Sequence, residues 1–269
     1  MSFSIDGKTA IVTGAANGLG LAIARHFLDR GARVMFADMD EGKLDAEIGS
    51  EARSEGAVRM FAGDLREKLA ITNLLSATID AFDRVDILVN ASRVMKRSDP
   101  LKMGEDCVED LLQQNLMTAL RMSQMTAKRM IQQAERAEDT TAPAGAIINL
   151  SSITAQRTLP ALLGYSISCA AVEQMTRALA LTLAPKRIRV NAVSLGSVMS
   201  ASLQHWLREE PDWRPAIEAA TPLGRIAPAS DIVETVQYLA SDAAAFVTGQ
   251  VMVVDGGRTL HEGVEAPAH

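Results

Sequence analysis

The sequence has few cysteines, no long apolar run and no excess of positive charge. Cys107 and Cys169 are its two cysteines, too few for a disulfide framework or a plausible metal site. No apolar run approaches the roughly 20 residues that a membrane span requires. The formal net charge of −6 argues against a nucleic-acid partner, which would bind a basic face. The first residues lack the basic and apolar regions of a signal peptide, so we expect a cytoplasmic protein with no membrane partner.

Aromatic residues are also scarce, at 4% of the chain, whereas 48% of its residues are hydrophobic. Apolar runs typical of buried strands alternate with helical patterns, which indicates a parallel sheet covered on both faces. No linker rich in proline or glycine divides residues 1–269. We therefore predict a single Rossmann-type α/β domain, with a doubly wound, mainly parallel, seven-stranded sheet and helices on both faces. The predicted strands are residues 9–14, 33–38, 58–64, 85–92, 146–152, 188–196 and 250–257.

A glycine-rich turn, TGAANGLG at residues 13–20, joins the first predicted strand to the first helix. Gly14, Gly18 and Gly20 follow a G-x-x-x-G-x-G spacing, which differs from the usual G-x-G-x-x-G dinucleotide fingerprint. Glycine permits a tight turn and lets backbone amides approach a pyrophosphate at a helix N-terminus. An ordinary loop can have this composition, but the strand–turn–helix context indicates a dinucleotide site.

Asp38 ends the second predicted strand, 18 residues beyond Gly20. A carboxylate in this position accepts hydrogen bonds from ribose hydroxyls and repels a 2′-phosphate. The glycine turn contains no arginine or lysine, and Asn17 occupies the place where such a cation would lie. These features favour NAD over NADP as the cofactor. The alternative is a solvated aspartate at a strand end.

Further motifs follow in order along the chain. They are GDL at 63–65, VNAS at 89–92, QQNLMTAL at 113–120, INLSS at 148–152, YSISC at 165–169, VNAVSLGSVMS at 190–200 and FVTGQVMVVDGG at 246–257. Together with the glycine turn, they make the chain resemble the short-chain dehydrogenase/reductase family, in its classical form, from about residue 5 to 258.

The resemblance implies hydride transfer between a nicotinamide ring and a carbonyl or alcohol carbon. It makes Tyr165 the general acid or base, Ser152 the group that orients the substrate oxygen, and Asn115 the anchor of a water in the proton relay. The family's spacing of serine and tyrosine selects Ser152 over Ser151. The implied cofactor contacts are Gly14, Asn17, Gly18, Leu19, Gly20, Asp38, Asp64, Leu65, Asn90, Ala91, Ser92, Tyr165, Leu195, Gly196, Val198 and Ser200.

Three motifs depart from the family pattern. Cys169 stands where the family has a lysine that holds the nicotinamide ribose and lowers the tyrosine pKa, Leu195 replaces a proline, and Ser92 replaces a glycine. A free tyrosine titrates near pH 10, and a cation about 4–5 Å away favours the phenolate by roughly 2–3 pKa units. The sequence therefore predicts weaker cofactor binding and an activity that is slow at neutral pH and rises at alkaline pH.

Arg93 is the candidate that the motif order places near the site and that could replace the missing charge. Arginine keeps its proton, so it would act as a fixed charge and not as a relay. The interpretation that the sequence favours is an outward-pointing, solvated arginine. Cys169 is interpreted as a small apolar filler, the alternative being a reactive thiolate in electropositive surroundings.

Two classes of function stay open. One is an NAD(H)-dependent oxidoreductase that interconverts a secondary alcohol and a ketone or other carbonyl compound, which the retained Tyr165, Ser152 and Asn115 favour. The other is a catalytically silent member of the family that binds NAD(H) or nothing and serves as a scaffold, sensor or partner subunit. The three departures, which would all lie near the nicotinamide ring of the implied cofactor, favour this second class.

Two segments lie outside the motifs. Residues 132–145 are polar and are predicted to be a surface loop extending a helix end. Residues 199–225 occupy the family's variable substrate lid, where Trp206 and Trp213 line an apolar pocket, hold the lid on the body or pack a subunit interface. The resemblance also implies a homotetramer or homodimer formed through the helix of Tyr165 and the helix before it.

Overall fold

The structure is a computed structural model that describes residues 3–52, 54 and 56–260, without the side chains of Ala201, Ser202 and His205. Its strands are β1 (Thr9–Thr13), β2 (Arg33–Asp38), β3 (Val58–Ala62), β4 (Ile87–Asn90), β5 (Gly145–Ser152), β6 (Ile188–Leu195) and β7 (Val251–Val254). They form one sheet in the order β3-β2-β1-β4-β5-β6-β7. Every pair in this sheet is parallel, so the predicted doubly wound sheet is confirmed and is parallel throughout.

The helices cover both faces of this sheet. One face packs against Ile23 and Phe27 of the first helix and against Val236 of the last. The other face packs against helices from the middle of the chain, including Leu74 and Met122. In chain order the helices are α1 (Gly18–Asp29), α2 (Glu41–Ala52), α3 (Lys68–Phe82), α4 (Val108–Leu111), α5 (Thr118–Arg136), α6 (Leu163–Leu183), α7 (Ala201–Glu209), α8 (Trp213–Ala219) and α9 (Ser230–Ala240).

The order of the strands places a crevice between β1 and β4. The chain runs outward from β1 to β3 and then returns to the centre of the sheet at β4. Ligands of such sheets bind at the carboxyl ends of the strands where the order reverses. The glycine turn after β1 and the segment after β4 both lie at this point.

The polar segment 132–145 is a loop only in its middle, which corrects the prediction. Helix α5 continues to Arg136, and β5 begins at Gly145. The side-chain amide of Gln133 accepts a hydrogen bond from the Val85 amide at 3.0 Å and donates one to the Val85 carbonyl at 2.9 Å. This pairing fastens the last turn of α5 to the residues before β4, so the helix persists where the sequence indicated irregular structure.

A buried amide network joins the central strands to two helices. Asn90 Nδ2 donates to Ser123 Oγ at 3.0 Å and to Asn149 Oδ1 at 2.8 Å. Asn149 Nδ2 donates to Thr176 Oγ1 at 2.9 Å. The four side chains belong to β4, α5, β5 and α6 and are all buried. The network therefore fixes the carboxyl ends of β4 and β5 relative to the helix that carries Tyr165.

We expect Asn149→Ala to lower the free energy of unfolding by about 2–3 kcal/mol, because it removes one hydrogen bond from the buried Asn90 amide and one from the Thr176 hydroxyl, which keep only Ser123 and the Val172 carbonyl as partners. Urea unfolding followed by circular dichroism measures the change. The control is Gln124→Ala on the exposed side of α5, which should change stability by less than about 0.5 kcal/mol. An equally small change for Asn149→Ala would contradict the structural role of the network.

Candidate active site

The glycine turn forms a close-packed cradle after β1. Gly14 has a φ of +69°, and a Cβ there would lie 2.8 Å from the Ser92 Cα. A Cβ on Gly20 would collide with the Gly14 carbonyl oxygen, whereas one on Gly18 would meet open space. Helix α1 begins at Gly18 without a side-chain cap from Asn17. Its first amides are thus free to bind an anion, and the turn fits a pyrophosphate.

The carboxylate of Asp38 lies beside this turn. Its Oδ2 accepts a hydrogen bond from the Ala16 amide at 3.0 Å, and its Oδ1 accepts one from the Asp40 amide at 3.1 Å. The nearby Lys43 ammonium donates to Asp40 at 2.6 Å. Within the described part of the chain no ion pair forms to Asp38 itself. The end of β2 therefore carries net negative charge.

The segment after β4 is fastened to β1 by Thr13. The Thr13 hydroxyl oxygen accepts hydrogen bonds from the amides of Ala91 and Ser92, both at 3.1 Å. Ser92, one of the departures from the family pattern, contacts Gln114 Nε2 at 3.5 Å through its hydroxyl. The serine is accommodated because its backbone, and not its side chain, faces Gly14.

Two other predicted cofactor residues are already engaged with protein partners. The Asp64 carboxylate is bound by the Arg66 guanidinium, with Nε 2.9 Å from both carboxylate oxygens, and this hydrogen bonding lowers the pKa of Asp64. The Asn90 side chain belongs to the buried amide network. Leu65 is buried, and Leu19 packs against the core.

The end of β6 holds the remaining predicted cofactor contacts. Leu195, where the family has proline, retains an amide hydrogen and lies in register with strand residues on both sides. A Cβ on Gly196 would lie 2.7 Å from the Asp255 Cα, so only glycine fits there. Val198 bridges to Ala227, and the Ser200 hydroxyl caps α7 by accepting from the Leu203 amide at 3.2 Å.

Ser152 and Tyr165 meet at the carboxyl end of the sheet. Ser152 ends β5 and Tyr165 lies in the first turn of α6, and Ser152 opposes the rise in the pKa of Tyr165. The Ser151 hydroxyl instead donates to Glu173 Oε1 at 3.0 Å and contacts the Cys169 carbonyl at 3.3 Å. The structure therefore brings Ser152 to Tyr165 and directs Ser151 toward the body of α6.

Asn115 lies in a π-helical turn, Leu112–Met117, between α4 and α5. Such turns are rare and occur frequently at functional sites. Its side chain accepts from the Val94 amide at 2.8 Å and donates to the Val94 carbonyl at 2.9 Å and to Ser168 Oγ at 3.0 Å. The amide thus holds the segment after β4 against α6.

Tyr165 and Cys169 are buried in an apolar cluster with Leu111 and Leu162. Burial raises the pKa of Tyr165 to about 12, and the positive charge of Arg93 opposes this shift. Burial also raises the pKa of the Cys169 thiol, so the thiol is neutral at physiological pH. Cys169 is 4% exposed, which agrees with the interpretation of a small apolar filler.

Arg93 points into the site, and the outward-pointing interpretation that the sequence favoured is wrong. Its Nη1 donates to the Ser151 carbonyl at 2.8 Å, and the side chain is half-buried. Arg93, Asn115, Tyr165 and Cys169 line a cavity of about 10 Å³, the room that one water molecule requires. The direction of the side chain depends on the adjacency of β4 and β5, which the sequence does not specify.

Sequence reasoning also missed Glu173, a buried carboxylate on α6. It accepts a hydrogen bond from Ser151, and its second oxygen lies 3.9 Å from the Arg177 guanidinium. Glu173 follows Cys169 by four residues, and residues at this spacing lie on the same face of a helix. That spacing is the signal that could have found it.

The two lid tryptophans pack on each other. The rings of Trp206 on α7 and Trp213 on α8 are 6.3 Å apart at 84°. The Arg97 guanidinium lies over the Trp213 ring, 5.4 Å from its centroid. These contacts agree with the interpretation in which the tryptophans hold the lid on the body of the protein, at the segment after β4.

Comparison with known proteins agrees with this geometry. A family model described as enoyl-(acyl carrier protein) reductase matches residues 14–259. The chain is 32% identical over 258 residues to a D-threitol dehydrogenase of Mycolicibacterium smegmatis, covering 96% of this chain and 95% of that protein. It is 30% identical over 259 residues to a 3-oxoacyl-(acyl-carrier-protein) reductase of Thermotoga maritima, covering 95% and 99%.

A similar solved structure is that of a gluconate 5-dehydrogenase from Burkholderia cenocepacia J2315 in complex with NADP and tartrate. It matches with a TM-score of 0.86 at 25% identity, covering 97% of this chain and 98% of that one. The chain belongs to the short-chain dehydrogenase/reductase family. Its relatives are oxidoreductases of alcohols and carbonyl compounds, and the family uses a nicotinamide cofactor. No helix in the described residues is both long and apolar enough to span a bilayer.

Proposed function

We propose that the protein is an NAD(H)-dependent oxidoreductase that interconverts a secondary alcohol and a ketone or other carbonyl compound. The observation that carries this proposal is the placement of Ser152, at the end of β5, and Tyr165, at the start of α6, at the carboxyl end of the sheet. The glycine turn that fits a pyrophosphate lies at the same end. The threitol and gluconate relatives make polyols and sugar acids the first substrates to test.

In this proposal, one group of residues binds the cofactor and another orients the substrate and transfers the proton. The amides of residues 13–20 would hold the pyrophosphate, Asp38 the adenosine ribose, and the ends of β4 and β6 the nicotinamide half. A bound nicotinamide cofactor would supply hydride transfer to or from the carbon that carries the substrate oxygen. Ser152 orients the substrate oxygen. Tyr165 takes the hydroxyl proton in oxidation and returns it in reduction.

Asn115 completes the proton path in this proposal. The cavity that it lines with Tyr165 has room for one water molecule. Its side-chain amide is engaged with Val94 and Ser168, so the side chain holds the wall of the cavity in place. A water anchored there connects the buried phenol to solvent.

Asp38 supports NAD as the cofactor. The carboxylate faces the turn where the adenosine ribose would lie, and the nearest cation, Lys43, is held by Asp40. A 2′-phosphate would meet net negative charge at this point. The NADP in the gluconate 5-dehydrogenase structure belongs to that protein, and the charge at the end of β2 is the feature that we propose distinguishes this chain.

We expect the protein to bind NADH at least about tenfold more tightly than NADPH, because the phosphate is repelled by Asp38. Nicotinamide fluorescence titration measures both affinities. Asp38→Asn, which keeps the size of the side chain, should reduce the preference to about threefold or less. Glu41→Gln removes an equal charge from an exposed site and should leave the preference intact. An unchanged preference in Asp38→Asn would contradict the role of Asp38.

The proposed role of Tyr165 predicts a different pH dependence for each direction of the reaction. Oxidation requires the phenolate, so its kcat/KM at saturating NAD⁺ should rise about tenfold per pH unit from pH 7 toward pH 10, because the pKa of Tyr165 lies above this range. Reduction requires the neutral phenol and should change less than about twofold over the same range. A flat profile for oxidation, in protein shown by circular dichroism to be folded, would contradict this role.

A catalytically silent member of the family is the second candidate. The neutral, buried Cys169 thiol in place of the family's lysine favours it. Micromolar binding of NADH without turnover of polyols, sugar acids or ketones at alkaline pH would identify a silent, cofactor-binding protein. Turnover that is lost in both Tyr165→Phe and Ser152→Ala would exclude it.

We also propose that the chain forms a homotetramer or homodimer. Leu181 near the end of α6 is 81% exposed, and Phe246 before β7 is fully exposed. Strand β7 is an edge of the sheet, and exposed edges are usually covered. Light scattering after size exclusion should give two or four times the chain mass of 28.8 kDa, and a monomer would contradict the proposal.

A further inference from the structure

The ionisable groups that face Tyr165 come from three segments of the chain. Cys169 lies on its own helix, α6, with Glu173 one turn beyond and next to Cys169 rather than Tyr165, and Cys107 packs against the same apolar cluster from the residue before α4. The fourth group is Arg93, from the segment after β4. Among the described residues that line the small cavity beside Tyr165, Arg93 is the cation.

The backbone on both sides of Arg93 is fixed. Before it, the amides of Ala91 and Ser92 are bound by the Thr13 hydroxyl oxygen at 3.1 Å. After it, the Val94 amide and carbonyl are both paired with the Asn115 side chain, at 2.8 and 2.9 Å. These contacts fix the backbone on both sides of Arg93, and its side chain extends across the end of β5.

The strand register explains where the guanidinium ends. Asn90 of β4 lies opposite Asn149 of β5, and Arg93 and Ser151 follow these residues by three and two positions. The Arg93 Nη1 donates to the Ser151 carbonyl at 2.8 Å. The hydroxyl of the same serine donates to Glu173, so Ser151 lies between the cation and the buried carboxylate. The guanidinium is thereby held at the edge of α6 beside Cys169.

The charge of Arg93 is not neutralised by a salt bridge. Within residues 3–52, 54 and 56–260, no carboxylate oxygen lies within 4.0 Å of its guanidinium nitrogens. The field of the cation therefore acts on the groups that share its cavity. It favours the ionised forms of both Tyr165 and Cys169.

We propose that Arg93 is the cation that this site uses in place of the family's lysine, acting on Tyr165 as a positioning residue from the segment after β4 rather than from α6. The inference rests on the proposed function, because a cation at this place is useful to a phenol that must release a proton. Arginine keeps its own proton. The proton of Tyr165 must then leave through the water-sized cavity that Asn115 and Arg93 line.

The test measures the ionisation of Tyr165 directly, without substrate or cofactor. The chain has two tyrosines, and Tyr238→Phe keeps the ring that contacts Phe3. Full-length protein with this change, produced with 3-fluorotyrosine, carries the label at residue 165 alone. Fluorination lowers the pKa of a phenol and brings its titration into a range that ¹⁹F NMR can follow in the folded protein.

In this background, Arg93→Gln should raise the pKa of the labelled phenol by about one unit, as expected for the loss of a nearby opposite charge. Arg97→Gln is the matched control, because it removes an equal charge from the same segment, over Trp213, and should shift the pKa by less than about 0.2 units. Arg93→Met is a second neutral variant and decides the question if Arg93→Gln does not fold. A folded neutral variant with an unchanged phenol pKa would overturn the proposal.

A rescue variant separates charge from structure. In Arg93→Gln combined with Cys169→Lys, a cation returns to the position that the family uses, and the phenol pKa should return to the Arg93 value or below. Persistence of the raised pKa in this folded double variant would show that Arg93 acts through packing and would overturn the proposal.

The kinetic readout distinguishes this inference from the proposed function. For an active substrate, Arg93→Gln should lower kcat/KM for oxidation about tenfold at pH 8, in step with the loss of phenolate, and the double variant should recover it. A shifted phenol pKa with no turnover of any alcohol by the wild type would support the cation and contradict the function. Turnover by the wild type, together with an unshifted phenol pKa in Arg93→Gln, would support the function and contradict the role of the cation.

Discussion

The chemistry of this site depends on one electrostatic interaction, between a buried phenol and a positive charge. The apolar neighbours of Tyr165, Leu111 and Leu162, exclude water, and this burial raises the pKa of the phenol. A neutral Cys169 supplies nothing to offset this effect. The guanidinium of Arg93 does, because it enters the same cavity from the neighbouring strand end. The pKa of Tyr165 is about 12 with Arg93 in place, so in our proposal the arginine offsets part of the effect of burial, from a different position than the family's lysine.

The fold makes such an exchange feasible because it fixes the strand ends before any ligand binds. The buried amides of Asn90 and Asn149 tie β4 and β5 to each other and, through Thr176, to α6. Thr13 and Asn115 then clamp the backbone on either side of Arg93. Because the backbone at Arg93 is already fixed, the side chain loses little further conformational freedom when its guanidinium is bound. The polar groups beneath the site thus determine where the cation is found.

The sequence predicts most of the fold because strand burial is a local property. All seven strands follow from continuous apolar runs, and the cradle after β1 follows from the spacing of three glycines. Ser152 was separated from Ser151 by family spacing, and the hydrogen bond that directs Ser151 to Glu173 agrees with that choice. The helical start of residues 132–145 was missed, since the Gln133 contact with Val85 that supports it joins distant parts of the chain.

The direction of Arg93 was missed for the same kind of reason. A residue just beyond a strand has no periodic pattern that reveals its orientation, and here the orientation follows from the adjacency of β4 and β5 and from the Ser151 carbonyl. The charged partner of Asp64 likewise could not be read from the motif, because a two-residue spacing to Arg66 does not specify a contact. The sequence does not predict where a side chain points beyond the end of a strand, and the tertiary structure supplies this information.

The most direct test of the central claim is a crystal structure of the full-length protein in complex with NAD⁺. The account predicts that the Arg93 guanidinium remains inside the cavity, bonded to the Ser151 carbonyl and facing the Tyr165 hydroxyl. An Arg93 side chain turned out to solvent in the complex, or one paired with a carboxylate that neutralises it, would contradict the claim that this arginine supplies the charge beside the phenol.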